Sequence, residues 1–229
     1  MKLVILAAGI GSRLGEGIPK ALVEIQASRT ILDQQIENFR DIVGINNITV
    51  VVGFEKEKIM KLYPEVSYVY NENYLKTNTS KSLLLALENI RDEDVIFVNG
   101  DTYFSKRTAQ DISKCTRTSV MVNVESTSDE EVKYRLDDEG KICELSKEVI
   151  DAQGEAVGIN FIKSEDLSSV KRELAAVAEM DYFEKAFENL IIKKEISVFP
   201  LSINNEFVKE IDFPEDLQKV RDFLETYRS

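Results

Sequence analysis

Gly9 and Gly11, Arg13 and Lys20, and the acids Asp101 and Asp212 are the residues whose types and places suit them to phosphate chemistry. The two glycines follow directly on the apolar run 3–7, and glycines past a strand let the backbone turn tightly and aim its N–H groups at an anion. Ala7 and Ala8 take bulk away from the turn, so a flat group such as a base can lie against the main chain. Arg13 and Lys20 add the fixed positive charge a triphosphate requires, arginine as a planar fork and lysine as a point charge. Asp101 ends the run Val95-Ile96-Phe97-Val98-Asn99-Gly100-Asp101, and an acid just past the carboxyl end of a central strand shares a crevice with the glycine turn. Asp212 precedes Phe213-Pro214, and Pro214 suits the first turn of a helix. Either acid also reads as a turn or cap residue. The chain has no histidine, which removes Ser-His and Cys-His nucleophiles and any zinc site built on imidazole. Carboxylates, lysines and backbone amides are left. They suit attack by a phosphate oxygen on the α-phosphorus of a nucleoside triphosphate, where negative charge accumulates and Mg²⁺ on one or two carboxylates neutralises it.

Two familiar nucleotide motifs fail on spacing. A dinucleotide fingerprint wants glycine where Leu14 stands and an acid about 20 residues on, at the end of a second strand that here ends near Val52-Gly53. There is no Gly-Lys-Ser/Thr for a P-loop. Leu6-Ala7-Ala8-Gly9-Ile10-Gly11-Ser12-Arg13-Leu14 followed by Pro19-Lys20-Ala21-Leu22 instead resembles the nucleotidyltransferases that couple an NTP to a phosphorylated small molecule, and within them the phosphocholine cytidylyltransferase-like branch. The resemblance implies that Leu6, Ala7, Ala8, Gly9, Gly11, Ser12 and Arg13 hold base and triphosphate and that Lys20 sits at the reacting phosphates. It assigns Asp101 and Asp212 as Mg²⁺ ligands, and Lys20, Arg13 and Asp101 as the catalytic set.

The same resemblance brings Asn78, Thr79 and Ser80, in a polar loop that also reads as a helix N-cap, to the base and ribose, with Gly53 close to the base. On the acceptor side it implies Lys147 as a phosphate contact, with Glu155 and Asp181 nearby. A choline cage wants aromatic or acidic walls, and tryptophan is absent, so a phosphorylated amine or amino acid, an aminoalkylphosphonate and a sugar phosphate all stay open. The function implied is transfer of CMP from CTP to such an acceptor. Alternatives are a sugar-1-phosphate transferase using UTP or dTTP, and a non-catalytic nucleotide-sensing subunit.

β-Branched runs at 3–7, 48–52, 67–70 and 95–99 alternate with helical patterns at 30–43, 55–62 and 79–91. That order predicts an α/β fold with a doubly wound, mostly parallel, Rossmann-like sheet and ligands at the carboxyl ends of its strands. Strands at 119–124, 132–136, 141–145 and 155–162, with a hairpin turn at Asp137-Asp138-Glu139-Gly140, predict a mixed or antiparallel extension for the acceptor. Helices at 165–176 and 180–192, a strand at 196–200 and a helix from Pro214 complete the chain. The expectation is a single domain over 1–229, residues 1–115 binding nucleotide and 116–229 binding acceptor and closing the site. A net charge of −12 excludes a nucleic-acid surface, though not a nucleotide in a local positive pocket. No apolar run reaches membrane-span length and Lys2 leads straight into a strand, so the expectation is a cytoplasmic protein without a membrane anchor. Cys115 and Cys143 read as buried free thiols. An edge strand or helix of the second half is where a homodimer would pair.

Overall fold

The computed structural model describes residues 1–11, 14, 17–124 and 131–226. In chain order its elements are β1 (Lys2–Ala7), β2 (Glu24–Gln26), β3 (Arg29–Thr30), α1 (Ile31–Val43), β4 (Ile48–Val52), α2 (Lys56–Leu62), β5 (Ser67–Tyr70), α3 (Thr79–Leu87), β6 (Val95–Asn99), β7 (Thr102–Tyr103) and α4 (Lys106–Ile112). The second half adds β8 (Ser119–Asn123), β9 (Lys133–Leu136), β10 (Ile142–Ser146), β11 (Gly154–Ile162), α5 (Leu167–Ala176), α6 (Phe183–Ile192), β12 (Phe199–Ser202), β13 (Lys209–Glu210) and α7 (Pro214–Thr226). None of the described helices is long and apolar enough to cross a membrane.

One nine-stranded sheet draws from both halves in the order β10-β9-β11-β6-β1-β4-β5, with β8 on β11 and β12 on β8. Strands β6, β1, β4 and β5 run parallel, and β11 and β9 run antiparallel to their neighbours. The expected doubly wound sheet with an antiparallel extension is the fold observed. Strand β1 shows why its sequence is apolar throughout: Val4 and Leu6 join a core with α3, α5 and α6, while Leu3, Ile5 and Ala7 join one with α1 and α4. Burial on both faces erases alternation.

Differences from expectation are local. The helix expected over 79–91 ends at Leu87, and Asp92 then takes a φ of 53° to turn the chain into β6. The strand expected at 196–200 lies at Phe199–Ser202, and Pro200 is tolerated in it because β12 is an edge strand paired with β8 alone. Gly140 has the positive φ, 74°, that the hairpin turn was expected to need. Cys115 and Cys143 are free, as expected, but half-buried rather than buried.

Candidate active site

Two acids 111 positions apart meet because of a two-residue strand pair. Just past Asp101, β7 pairs antiparallel with β13, Thr102 opposite Glu210 and Tyr103 opposite Lys209. The Ile211 N–H then donates to the Asp101 carbonyl at 3.0 Å. Beyond it, Asp216 Oδ2 at the start of α7 accepts from the N–H groups of Phe213 at 3.1 Å and Asp212 at 3.4 Å, holding the turn that carries Asp212. On the other side, the Gly100 N–H donates to the Leu6 carbonyl at 2.9 Å. A Cβ on Gly100 would lie 2.7 Å from that oxygen, so only glycine lets the end of β6 rest on the end of β1.

Lys20 opens a one-turn 3-10 helix, Lys20–Leu22, behind Pro19. Gly11, at φ 66°, packs against its stem, and a Cβ there would lie 3.0 Å from Lys20 Cβ. Lys20 Nζ donates to Asp101 Oδ2 at 2.7 Å and also to Asp212 Oδ1. Burial alone would depress this ammonium, yet the two carboxylates overcome it and hold its pKa above the ordinary lysine value.

One lysine does not balance the acids around it. Asp101, Glu210 and Asp212 bring carboxylate oxygens within 4.8 Å of one another. Asp101 Oδ1 is enclosed without a hydrogen-bond partner among the described residues. The Glu210 carboxyl is held well above the usual carboxylate range, by burial first and then by the charges of Asp101 and Asp212. An enclosed, unpaired carboxylate oxygen in a cluster short of positive charge fits a hard divalent cation, which takes oxygen ligands of this kind.

These groups face a cavity of about 370 Å³. Of the residues expected there, Leu6, Ala7, Gly9, Gly11, Lys20, Asn78, Thr79, Asp101, Lys147 and Asp212 line it. Ser12 and Arg13 lie outside the described residues. Five expected residues do not line it. Ala8 is behind the turn, its carbonyl accepting from the Phe54 N–H at 3.2 Å. Gly53 is glycine for packing, since a Cβ would lie 2.5 Å from the Ala8 carbonyl and 2.7 Å from Tyr74. Ser80 is buried and its hydroxyl donates to the Asp181 carbonyl at 2.6 Å. The Asp181 carboxylate accepts from the Ala178 N–H at 2.8 Å, inside its own loop. Glu155 is set in β11, in register with Asn123 of β8 and Lys133 of β9.

Three lining acids carry no motif that singles them out in the sequence: Glu131, Glu184 and Glu210. Glu210 had a legible sign, because two residues before Asp212 on an extended segment is the same face. Glu131 ends an acidic stretch that looks solvated, and Glu184 looks like an ordinary first-turn helix charge. Thr79 has a second role, its Oγ1 accepting from the Phe183 N–H at 3.1 Å and so capping α6 from another helix.

Three acids and a lysine facing one cavity beside a glycine turn at the carboxyl ends of parallel strands are an arrangement of an α/β nucleotide-handling fold. Comparison with known proteins narrows this class. Residues 3–157 match the MobA-like NTP transferase domain. The chain belongs to that family and is a nucleotidyltransferase. It is 28% identical to the choline-phosphate cytidylyltransferase of Streptococcus pneumoniae over 98% of each chain. Identity to the 2-aminoethylphosphonate cytidylyltransferase of Lancefieldella rimae is 25%, over 88% of this chain and 82% of that one. Among solved structures, the CTP:phosphocholine cytidylyltransferase of Streptococcus pneumoniae superposes with a TM-score of 0.81 at 25% identity, covering 97% of this chain and 98% of that one.

Proposed function

We propose that the protein is a Mg²⁺-dependent cytidylyltransferase that moves CMP from CTP to a phosphorylated small molecule and releases pyrophosphate. The observation that carries this reading is the Lys20 ammonium bound by Asp101 and Asp212 in the cavity lined by Gly9 and Gly11. Support for CTP as donor and for a phosphate or phosphonate as acceptor comes from the relatives named above.

An acceptor phosphate oxygen attacks the α-phosphorus, and the bond to the bridging oxygen breaks with its electron pair leaving on pyrophosphate. A phosphate or phosphonate is already anionic near neutral pH, so no base has to take its proton and the lack of histidine is no handicap. Lys20, whose pKa is raised, stays charged and sets a positive group among the phosphates. The backbone at Gly9 and Gly11 leaves room for those phosphates, and Leu6 and Ala7 wall the cavity without competing polar groups. Asp101 and Asp212 would hold Mg²⁺, which when bound supplies positive charge against the anionic oxygens of the α-phosphate. Both halves of the chain contribute to this one cavity, which supports treating 1–229 as one catalytic unit.

The test is pyrophosphate release from CTP, UTP, dTTP and ATP with a panel of phosphorylated acceptors, with Mg²⁺ and with chelator. Release that needs Mg²⁺ and acceptor and is fastest with CTP is expected. Preference for UTP or dTTP with a sugar phosphate would replace the donor and acceptor named here, and no release from any nucleotide would end the reading.

A further inference from the structure

One buried amide of α1 grips the turn that carries Asp101 from both ends. Gln35 is 0% exposed, and its Nε2 donates to the Asn99 carbonyl at 2.8 Å and to the Thr102 carbonyl at 2.8 Å. Those two carbonyls flank Gly100 and Asp101. Both partners are acceptors, so only the nitrogen of the amide suits that position, and both of its N–H groups are used. Gln35 Oε1 is enclosed with no hydrogen-bond partner among the described residues. An enclosed oxygen without a donor is costly, so a hydrocarbon side chain would suit this place better if packing were its only role.

Two further main-chain groups of the turn are held by other elements: the Gly100 N–H by the Leu6 carbonyl at 2.9 Å, and the Asp101 carbonyl by the Ile211 N–H at 3.0 Å. With Gln35 at residues 99 and 102, four consecutive residues are each anchored through the main chain. The anchoring has work to do, because Asp101, Glu210 and Asp212 bring carboxylate oxygens within 4.8 Å of one another, and their repulsion acts to part the turn from β13. Neighbouring amides of α1 serve another point. Gln34 Nε2 and Asn38 Nδ2 both donate to the Phe104 carbonyl, past the end of β7, the latter at 2.8 Å.

We propose that Gln35 is a positioning residue: by holding the carbonyls of Asn99 and Thr102 it fixes where Asp101 presents its carboxylate, and so sets the affinity of the acidic cluster for a divalent cation. The proposal rests on the reading under Proposed function, which assigns Mg²⁺ to Asp101 and Asp212.

The experiment measures Mn²⁺ binding to the whole protein, without nucleotide, from the electron paramagnetic resonance of the free ion. Mn²⁺ takes the same oxygen ligands as Mg²⁺. Wild type is compared with Gln35→Met, Gln35→Glu and Asn38→Leu, and each is melted to check that it is folded. Gln35→Met keeps the stem and drops both donors, and should raise the Mn²⁺ Kd roughly tenfold or more, as loss of a group that orients a metal ligand does. Gln35→Glu supplies a test of sign. It adds an acid near the cluster and would tighten cation binding on charge alone, but a carboxylate donates nothing to the two carbonyls, so binding should weaken. Asn38→Leu removes a buried amide hydrogen bond from the same helix and should leave the Kd as in wild type. Binding by either Gln35 variant as tight as that of wild type overturns the proposal, and so does an equal loss in Asn38→Leu, which would mark a general loosening of α1. If one Gln35 variant does not fold, the other decides; if neither folds, the amide serves the fold and the proposal is overturned. Wild type that binds no Mn²⁺ removes the cation site of the function reading and this inference together, whereas variants that match a binding wild type sink this inference alone.

Discussion

Replacing Lys20 with methionine tests the electrostatics of the site most directly. Methionine keeps an unbranched stem against Gly11 and removes only the charge. Two ion pairs are lost at once, from side chains that are 15% exposed for Lys20, 21% for Asp101 and 30% for Asp212. Removing one partner of a fully buried pair costs about 3–5 kcal/mol and an exposed pair is worth about 0–1 kcal/mol. Exposures between those limits place the loss at about 2 kcal/mol. The three acids left behind repel one another, and a divalent cation should relieve them. Urea denaturation near neutral pH should therefore show the full deficit in chelator and a smaller one in Mg²⁺. Acid should shrink it as well. Glu210 already titrates above the ordinary carboxylate value, through burial and then Asp101 and Asp212, while Lys20 opposes the rise. A carboxyl raised on folding contributes stability below its ordinary value of 4.5 and loses it as pH climbs through the folded value. Without Lys20 that folded value climbs further, so the variant gains more from acid than wild type does. A deficit below about 0.5 kcal/mol, the scatter of an ordinary surface substitution, or one indifferent to both Mg²⁺ and pH, would refute the claim that this cluster is short of positive charge.

Three further outcomes follow from single contacts. Gly11→Ala puts a Cβ 3.0 Å from Lys20 Cβ at a φ of 66°, so denaturation should show a loss of about 1–2 kcal/mol and turnover should fall as Lys20 shifts; unchanged turnover would separate the loop from the lysine. Thr79→Val removes the acceptor for the Phe183 N–H, and denaturation should show a loss of about 1 kcal/mol, as other lost caps do; an unchanged midpoint would show that this bond does not hold α6. Glu184, pushed up to about 7 from 4.5 by burial and by Glu131 against Lys147, makes wild type more stable in acid, with that stability lost as pH rises through about 7. Glu184→Gln should flatten this slope in denaturation midpoints, and equal slopes would show that the carboxyl titrates normally.

What the sequence disclosed follows from where patterns survive. Strands β1, β4, β5 and β6 were legible within a residue, because three of them are continuously apolar runs buried from both sides of the sheet and all four are short and bounded by turns. Strands β2, β3, β7 and β13, of two or three residues each, carry no period to read. Helix α4 was missed although Ser105 caps it by accepting from the Thr108 N–H, since its apolar residues are too few to mark a face. In the site, Lys20, Asp101 and Asp212 were legible from motif and position. Asn78, Thr79, Ser80 and Asp181 were ambiguous for a physical reason: a short polar side chain at a helix start serves equally as ligand, local cap or clamp between helices. The structure spends Ser80 and Asp181 on the last two.

The deepest gap between sequence and site lies in the pairing of β7 with β13. Thr102-Tyr103 and Lys209-Glu210 make a ladder too short to predict, yet it and the Ile211-to-Asp101 hydrogen bond bring Asp212 to the lysine and Glu210 to both. Closing a loop of that length costs entropy that two strand residues do not recover alone. Supplementary order comes from Asp216 on the Asp212 turn and from the packing of Tyr103 with Phe207 and Phe223, whose own rings stack at 4.3 Å. The acidic cluster is thus held by an aromatic latch outside the cavity lining, so weakening the latch should loosen the site before the sheet. Phe207→Ala should lower kcat and cation affinity while the melting transition of the main sheet moves little, and a variant that loses both in proportion would show that latch and sheet unfold as one.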